Sequence, residues 1–314
     1  MTGVNAVAEL LRFAKMHALG NDFMVLDLIR QHISGFASEG IPPAQVQQWS
    51  DRKRGIGFDQ LLTLEPPTQL HQDFSSRIYN ADGSRAGNCF NGARCLAFFA
   101  HIERLIAPRQ MHIVFDGGEI ALQVASEPHL PCAQVRLQTT AVQLQPQPPL
   151  FAAGANSVEQ VRVQGREFSL RLLSVGNPHA VFEMASDEPF DEGAPAILEE
   201  LGRALQTLPL FPDGVNLSMI TAQTSGNRLR AHVYERGVGV TEACGTAAVA
   251  VAALQMANAG SCGPVCVEMG QEQLTVSRSK ADQSTGPDAE RVELVGPACM
   301  IYKGQLLLPN QNSG

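Results

Sequence analysis

The chain has 314 residues, of which 44% are apolar and 17% charged, and it carries a formal net charge of −8. That is the composition of a globular protein long enough for two ordinary domains, and it excludes a disordered chain. An acidic balance without runs of like charge also excludes a basic nucleic-acid-binding face and a charged tail. The opening residues MTGVNAVAELLR lack a basic and an apolar signal region, and the most apolar stretch, Ala247 to Met256, is too short to span a bilayer. A cytoplasmic protein without a membrane partner is therefore expected. Seven cysteines, an odd count without an export signal, read as reduced thiols. Among them Cys95, Cys132 and Cys299 sit between apolar neighbours and read as packing residues. Cys262 and Cys266 lack a second ligand pair at zinc spacing, so no metal site is expected.

In chain order, short β-type runs at Phe23–Leu28, Gln60–Leu64, Phe74–Tyr79, His112–Phe115, Ile120–Val124 and Ala133–Leu137 are bounded by Gly, Pro, Asp or Asn. Residues 43–51 read as a helix. From Asn91 to Leu105 apolar side chains recur at helical spacing (Cys95, Leu96, Phe98, Phe99, Ile102, Leu105). The proline-rich stretch 143–155 reads as a loop or a connection between halves. The pattern then repeats, with strands at 160–163, 169–174 and 180–182, a helix near 196–207, and strands at 215–221 and 228–234. A second apolar helix over 246–259 follows, with strands at 265–268, 273–277, 290–295 and 300–308.

The repeat has three anchors. Tyr79 and Tyr234 are 155 residues apart, as are Cys89 and Cys244, and Asn21 precedes Asn177 by 156. A period of this length is too long for a solenoid and implies two similar domains. In NADGSRAGNCFNGARC (80–95) a strand ends, a glycine-rich turn follows, and a helix starts just after Cys89. YERGVGVTEACGTAA (234–248) has the same layout around Cys244. Free N–H groups and the positive dipole end at a helix start lower a thiol's pKa from about 8.5 and hold a carboxylate. Two such thiols suit a reaction that removes a proton from one face of a carbon and returns one to the other. Glu235-Arg236 at a strand end and His179, after the Asn177-Pro178 turn, are further polar candidates. Asn21, Asn80, Asn177 and Asn216 could supply amides to a zwitterion.

The ordered series MHALGNDF, RGIGFDQ, IYNADGS, CFNGARC, GNPH, FPDGVN, YERGVG and ACGT, running from about Phe13 to Leu308, resembles the signature motifs of the diaminopimelate epimerase family. The resemblance implies an α/β (α+β) fold of two pseudo-symmetric domains. Each is a mixed sheet or barrel wrapped on a central helix, with the active site in the cleft between them. The expected boundaries are 1–138, completed by a C-terminal strand at 299–314, and 139–298. It implies epimerisation of LL- to meso-diaminopimelate, in lysine and peptidoglycan precursor synthesis, without pyridoxal phosphate or metal. By the same resemblance Cys89 and Cys244 are the acid/base thiols, and His179 and Glu235 are auxiliary groups beside them. Asn21, Gln60, Asn80, Phe90, Asn91, Asn177, Asn216, Glu235, Arg236, Gly245 and Thr246 bind the amino-acid substrate. A homodimer is implied, with Tyr302 at its interface.

Four positions depart from the family pattern. Phe90 stands where the family has Gly, Val240 where it has Glu, and Ala18 where Gly is common; Gly270-Gln271-Glu272 replaces Pro-Gly-Gly. Phe90 adds bulk beside the thiol and disfavours positive φ. Phe90 and Val240 leave open an alternative, a related pyridoxal-independent racemase or epimerase of another amino acid. A non-catalytic amino-acid-binding relative is a third reading.

Overall fold

The computed structural model describes residues 9–32, 40–107, 110–125, 131–139, 142–184, 190–224, 227–260, 263–279 and 291–308. The chain divides into two compact units, Met1–Val135 with Pro297–Gly314, and Arg136–Gly296. The first holds β1 (Glu9–Ala18), β2 (Asn21–Asp27), α1 (Pro43–Ser50), β3 (Gln60–Leu64), β4 (Phe74–Ser75), β5 (Ile78–Asn80), β6 (Arg85–Ala86), α2 (Phe90–Ile102), β7 (Met111–Phe115) and β8 (Gly118–Val124), and β9 (Cys132–Thr139) leads out of it. The second holds β10 (Val158–Val163), β11 (Arg166–Ser174), β12 (Pro178–Glu183), α3 (Phe190–Leu205), β13 (Asn216–Thr224), β14 (Arg228–Glu235), β15 (Gly239–Thr241), α4 (Gly245–Ala259), β16 (Val265–Met269) and β17 (Glu272–Ser279). The last strand, β18 (Arg291–Leu308), starts in the second unit and ends in the first.

The internal repeat is a repeat of topology. In the first unit β1 is antiparallel to β2, β2 parallel to β3, β3 antiparallel to β5 and β5 antiparallel to β6, after which come α2 and the β7–β8 hairpin. In the second unit β11 is antiparallel to β12, β12 parallel to β13, β13 antiparallel to β14 and β14 antiparallel to β15, followed by α4 and the β16–β17 hairpin. Each parallel pair is joined by a helix, α1 or α3, because parallel neighbours need a crossover. This is the mixed α+β architecture expected, with few helices.

Each sheet is covered on two faces. Met24, Leu26 and Leu61 pack with Val46 and Trp49 of α1, whereas Phe23 and Leu62 lie against Gly92 of α2. Side chains alternate along a strand, so a strand covered on both faces reads as a continuous apolar run, as FMVL in β2 does. In the second unit α3 supplies Leu198, Leu201 and Leu205 to a core with Leu217, Met219, Phe182 and Phe211. The two central helices are apolar all round, which marks a buried helix. Every residue of α2 from Phe90 to Ala100 is buried, as are Ala247 to Leu254 of α4. Helix α4 stops at Gly260, whose left-handed conformation (φ 59°) closes the last turn.

Four local expectations change. The run 74–79 divides because β4 pairs with β7 whereas β5 pairs with β3, the chain changing partner at Ser76-Arg77. The two strands expected at 290–295 and 300–308 are one, apart from residue 290, which lies outside the described residues. Its ladder to β17 ends at Val295 and that to β1 begins at Cys299, which places Pro297, lacking an N–H, between the two pairings. Strand β1 was not anticipated because Arg12 and Lys15 interrupt its apolar pattern; Lys15 is buried and pairs with Asp22 at 2.6 Å. Finally, Cys132 and Cys299 are not reduced packing residues. The fold brings these residues, 167 apart in sequence, to a Cα separation of 4.1 Å, and they form a disulfide. Cys262 lies outside the described residues.

Candidate active site

In the first unit Cys89 is the N-cap of α2, with extended backbone (φ −148°, ψ 107°). Its Sγ accepts the Gly92 N–H at 3.3 Å, satisfying one of the otherwise unpaired amides of the first turn. The thiol in turn points to Asn21 Oδ1, 3.8 Å away. Asn21 opens β2, directly after the tight turn at Leu19-Gly20 (φ 58° and 80°). Gln60 and Asn80 sit opposite each other on β3 and β5, and Gln60 Nε2 donates to Asn80 Oδ1 at 2.9 Å. Asn80 Nδ2 continues to Ser84 Oγ at 3.0 Å. Gln60 Oε1 is buried without a hydrogen-bond partner among the described residues. Asn91 is buried, and its Oδ1 accepts from Arg94 Nη2 at 2.9 Å. The Arg94 guanidinium, wholly buried, also donates to the carbonyls of Phe90 and Pro297. Phe90 is itself buried and helical; its position needs no positive φ, so the side chain imposes no backbone strain.

The second unit builds the same device. Cys244 is the N-cap of α4 (φ −130°, ψ 122°), is buried, and has Thr246 Oγ1 3.3 Å from its Sγ. Gly245 and Thr246 open the helix. Here the structure corrects the expectation of a lowered pKa. Burial pushes the Cys244 thiol well up and the Glu235 carboxylate adds to this, outweighing the hydrogen bonds of Thr246 and the Ala247 amide. Glu235, at the end of β14, accepts from Thr241 Oγ1 at 2.5 Å.

His179 on β12 stands beside Asn216 on β13. Its Nε2–H donates to Asn177 Oδ1 at 2.9 Å, leaving Nδ1 as a buried acceptor without a partner among the described residues. Burial, and then the charge of Arg236, hold its pKa down at about 3, so the imidazole is neutral. Asn216 ties two segments together: its Oδ1 accepts the Arg236 N–H at 3.0 Å and its Nδ2 donates to Pro178 O at 3.3 Å. The exposed Arg236 guanidinium donates to Asp213 O at 3.3 Å. Val240 is exposed on β15.

Sequence reasoning missed a charged cluster behind Asn21. Asp22 is bound by Lys15 at 2.6 Å and by Arg52 at 2.8 Å, and Arg52 also holds Asp59 at 2.8 Å. Burial raises the Asp22 carboxyl, but the hydrogen bonds and charges of Arg52 and Lys15 together hold it well below the ordinary range. The signal was present in RGIGFDQ, where Asp59 immediately precedes Gln60. Among the described residues no cluster of three or more His, Cys, Asp or Glu side chains is arranged to hold a metal ion, and no helix is long and apolar enough to cross a membrane.

The diaminopimelate epimerase family model matches residues 13–144 and 171–295. A diaminopimelate epimerase of Azotobacter vinelandii is 40% identical over 300 residues, covering 95% of this chain and all of the relative. One of Pseudomonas fluorescens is 39% identical over 300 residues with the same coverage. Among solved structures, a hydroxyproline epimerase of Agrobacterium vitis matches with a TM-score of 0.65 at 14% identity, over 97% of this chain and 93% of that one. A phenazine biosynthesis protein of Bacillus anthracis matches with 0.62 at 15% identity, over 96% and 100%. At these identities the two structures share the fold alone.

Proposed function

The chain belongs to the diaminopimelate epimerase family, and from that membership we propose that it interconverts LL- and meso-diaminopimelate with Cys89 and Cys244 as a two-base pair. The observation that carries this reading is that both cysteines are N-caps of buried central helices, at the same place in a repeated topology. One sulfur, as thiolate, takes the α-proton; the other, as thiol, gives its proton to the opposite face. The product leaves with the two protonation states exchanged, so a pH–rate profile reports the pair. An α-proton is a weak acid for a thiolate to remove. The first-turn amides of α2 and α4 narrow the gap by stabilising charge that develops on the adjacent carboxylate. Glu235, which raises the Cys244 pKa through its charge and in lesser part through a hydrogen bond, exchanges a proton with that thiol in this reading. His179 serves as a neutral auxiliary group. Asn21, Gln60, Asn80, Asn177, Asn216 and Arg236 are the remaining substrate contacts.

In this reading the reaction proceeds without pyridoxal phosphate, the first-turn amides stabilising the charge that the cofactor would otherwise delocalise, and treatment with a carbonyl reagent should leave the rate unchanged. The setting is cytoplasmic, which keeps Cys89 and Cys244 reduced; the Cys132–Cys299 bond is the one feature at odds with it. The protein acts as a homodimer through β1 and β18 of the first unit. There Leu10, Ile301, Tyr302 and Leu307 are exposed, and Phe13 supports Tyr302 edge-on at 6.0 Å. Phe90 and Val240 do not favour another amino acid, since one is buried and helical and the other lies on the surface.

Incubation with LL-diaminopimelate in D2O yields meso product carrying α-deuterium, and Cys89→Ser or Cys244→Ser lowers exchange by roughly 100-fold or more. Wild-type protein that produces neither deuterium incorporation nor meso product overturns the reading.

A further inference from the structure

We propose that Asp59 is a positioning residue for Cys89, fixing the Asn21 amide so that its carbonyl oxygen, rather than its amino group, faces the thiol. The inference rests on the reading of Cys89 as an acid/base group and adds what sets its protonation. A carboxylate accepts hydrogen bonds and donates none. Asn21 Nδ2 lies 3.1 Å from Asp59 Oδ2, so the amide must turn its NH2 to Asp59 and its oxygen to Cys89 Sγ, 3.8 Å away.

Asp59 is itself held from several sides. The same Oδ2 accepts the Asp22 N–H at 3.1 Å, and Oδ1 accepts from Arg52 Nη2 at 2.8 Å. The Asp59 N–H donates back to Asp22 Oδ1 at 2.9 Å. Arg52 spans both carboxylates, and Lys15 anchors Asp22 while donating to Gly57 O. The Asn21 backbone is fixed as well, by pairing with Ala18 across the turn. No rotation of Asp59 frees Asn21 without breaking this set.

The consequence falls on the sulfur. Cys89 accepts from Gly92 N–H and donates to Asn21 Oδ1, which is the bonding pattern of a thiol. A thiolate in the same place would face a carbonyl oxygen; with the amide reversed it would receive an N–H. The Asn21 carbonyl, as the cluster orients it, therefore disfavours the thiolate at Cys89. Charged or titratable groups on the elements around this thiol include Arg94 and Cys95 on α2 and, behind Asn21, Lys15, Asp22 and Arg52.

The test reads Cys89 directly, by mass spectrometry of its peptide after timed alkylation with iodoacetamide across a pH series, in the Cys244→Ser background. Asn21→Ala removes the carbonyl and leaves the cluster in place, and Asp59→Asn frees the amide to turn. Each raises the alkylation rate of Cys89 at pH 7 roughly three- to tenfold, the value of about one ordinary hydrogen bond. In the double variant Asp59→Asn adds nothing to Asn21→Ala, because Asp59 acts through Asn21. Additive effects, which a direct charge effect of Asp59 would give, overturn the proposal. So does an unchanged rate in Asn21→Ala alone, a result that stands even if Asp59→Asn fails to fold. Alkylation needs no turnover. Absence of exchange in the wild type therefore defeats the functional reading, whereas additive alkylation defeats only this one.

Discussion

Gly202→Ala should destabilise the protein, against the usual direction for that change. Gly202 lies inside α3, where replacing Gly by Ala ordinarily gains about 1 kcal/mol of helix propensity. Here a methyl built on Gly202 lands on the Tyr234 ring, 2.5 Å from Cδ2 and 2.8 Å from Cβ, with Cγ nearer still. Carbon atoms do not approach so closely, and Tyr234 cannot step aside: its backbone pairs with Leu217 on one side and Val240 on the other. The ring also packs against the α3 core. Overpacking of this kind costs about 3 kcal/mol or more, which leaves a net loss of about 2 kcal/mol. For a urea slope of roughly 2 kcal/mol per molar, the unfolding midpoint falls by about 1 M. Because Glu235 follows Tyr234, the displaced strand end should also slow Cys244-dependent exchange. A Gly202→Ala protein more stable than wild type by equilibrium urea unfolding would falsify the packing argument.

Three other outcomes follow from the same geometry. The His179 pKa is depressed, so below about 6.5 the unfolded chain takes up a proton that the folded protein refuses, and stability falls with pH from there towards 3. His179→Gln removes that slope, an effect of the order of 3 kcal/mol between pH 6.5 and 4; parallel pH curves for the two proteins in denaturant titrations would argue against a buried neutral imidazole. Glu235→Gln deletes the charge that raises the Cys244 pKa, so site-resolved alkylation of Cys244 at pH 8 should accelerate several-fold, and a slower rate contradicts the assignment. Arg94→Met removes the guanidinium's hydrogen bonds to the Phe90 and Pro297 carbonyls and to Asn91 Oδ1 inside a buried helix, costing about 3 kcal/mol by thermal or urea unfolding. Retention of full stability would show that the guanidinium is dispensable there.

The local rules were readable from the chain. Strands Gln60–Leu64 and Arg228–Glu235 and helices Pro43–Ser50, Phe90–Ile102 and Gly245–Ala259 fall within a few residues of their expected places, because apolar spacing, Gly and Pro act over one or two turns. The same short range placed Cys89 and Cys244 at helix starts, and the ordered motifs identified the family. Tertiary structure decided what depends on partners distant in sequence. Burial of Cys244 beside Glu235 reversed the direction of pKa shift that a helix N-terminus alone implies, since desolvation of a thiolate outweighs the dipole. Burial likewise made His179 neutral. Folding joined Cys132 to Cys299 and set Asp59, 38 residues from Asn21, against its amide. Sequence periodicity records which residues are apolar and how they are spaced; hydrogen-bond direction and desolvation are set by neighbours that only the folded chain brings within a few ångströms.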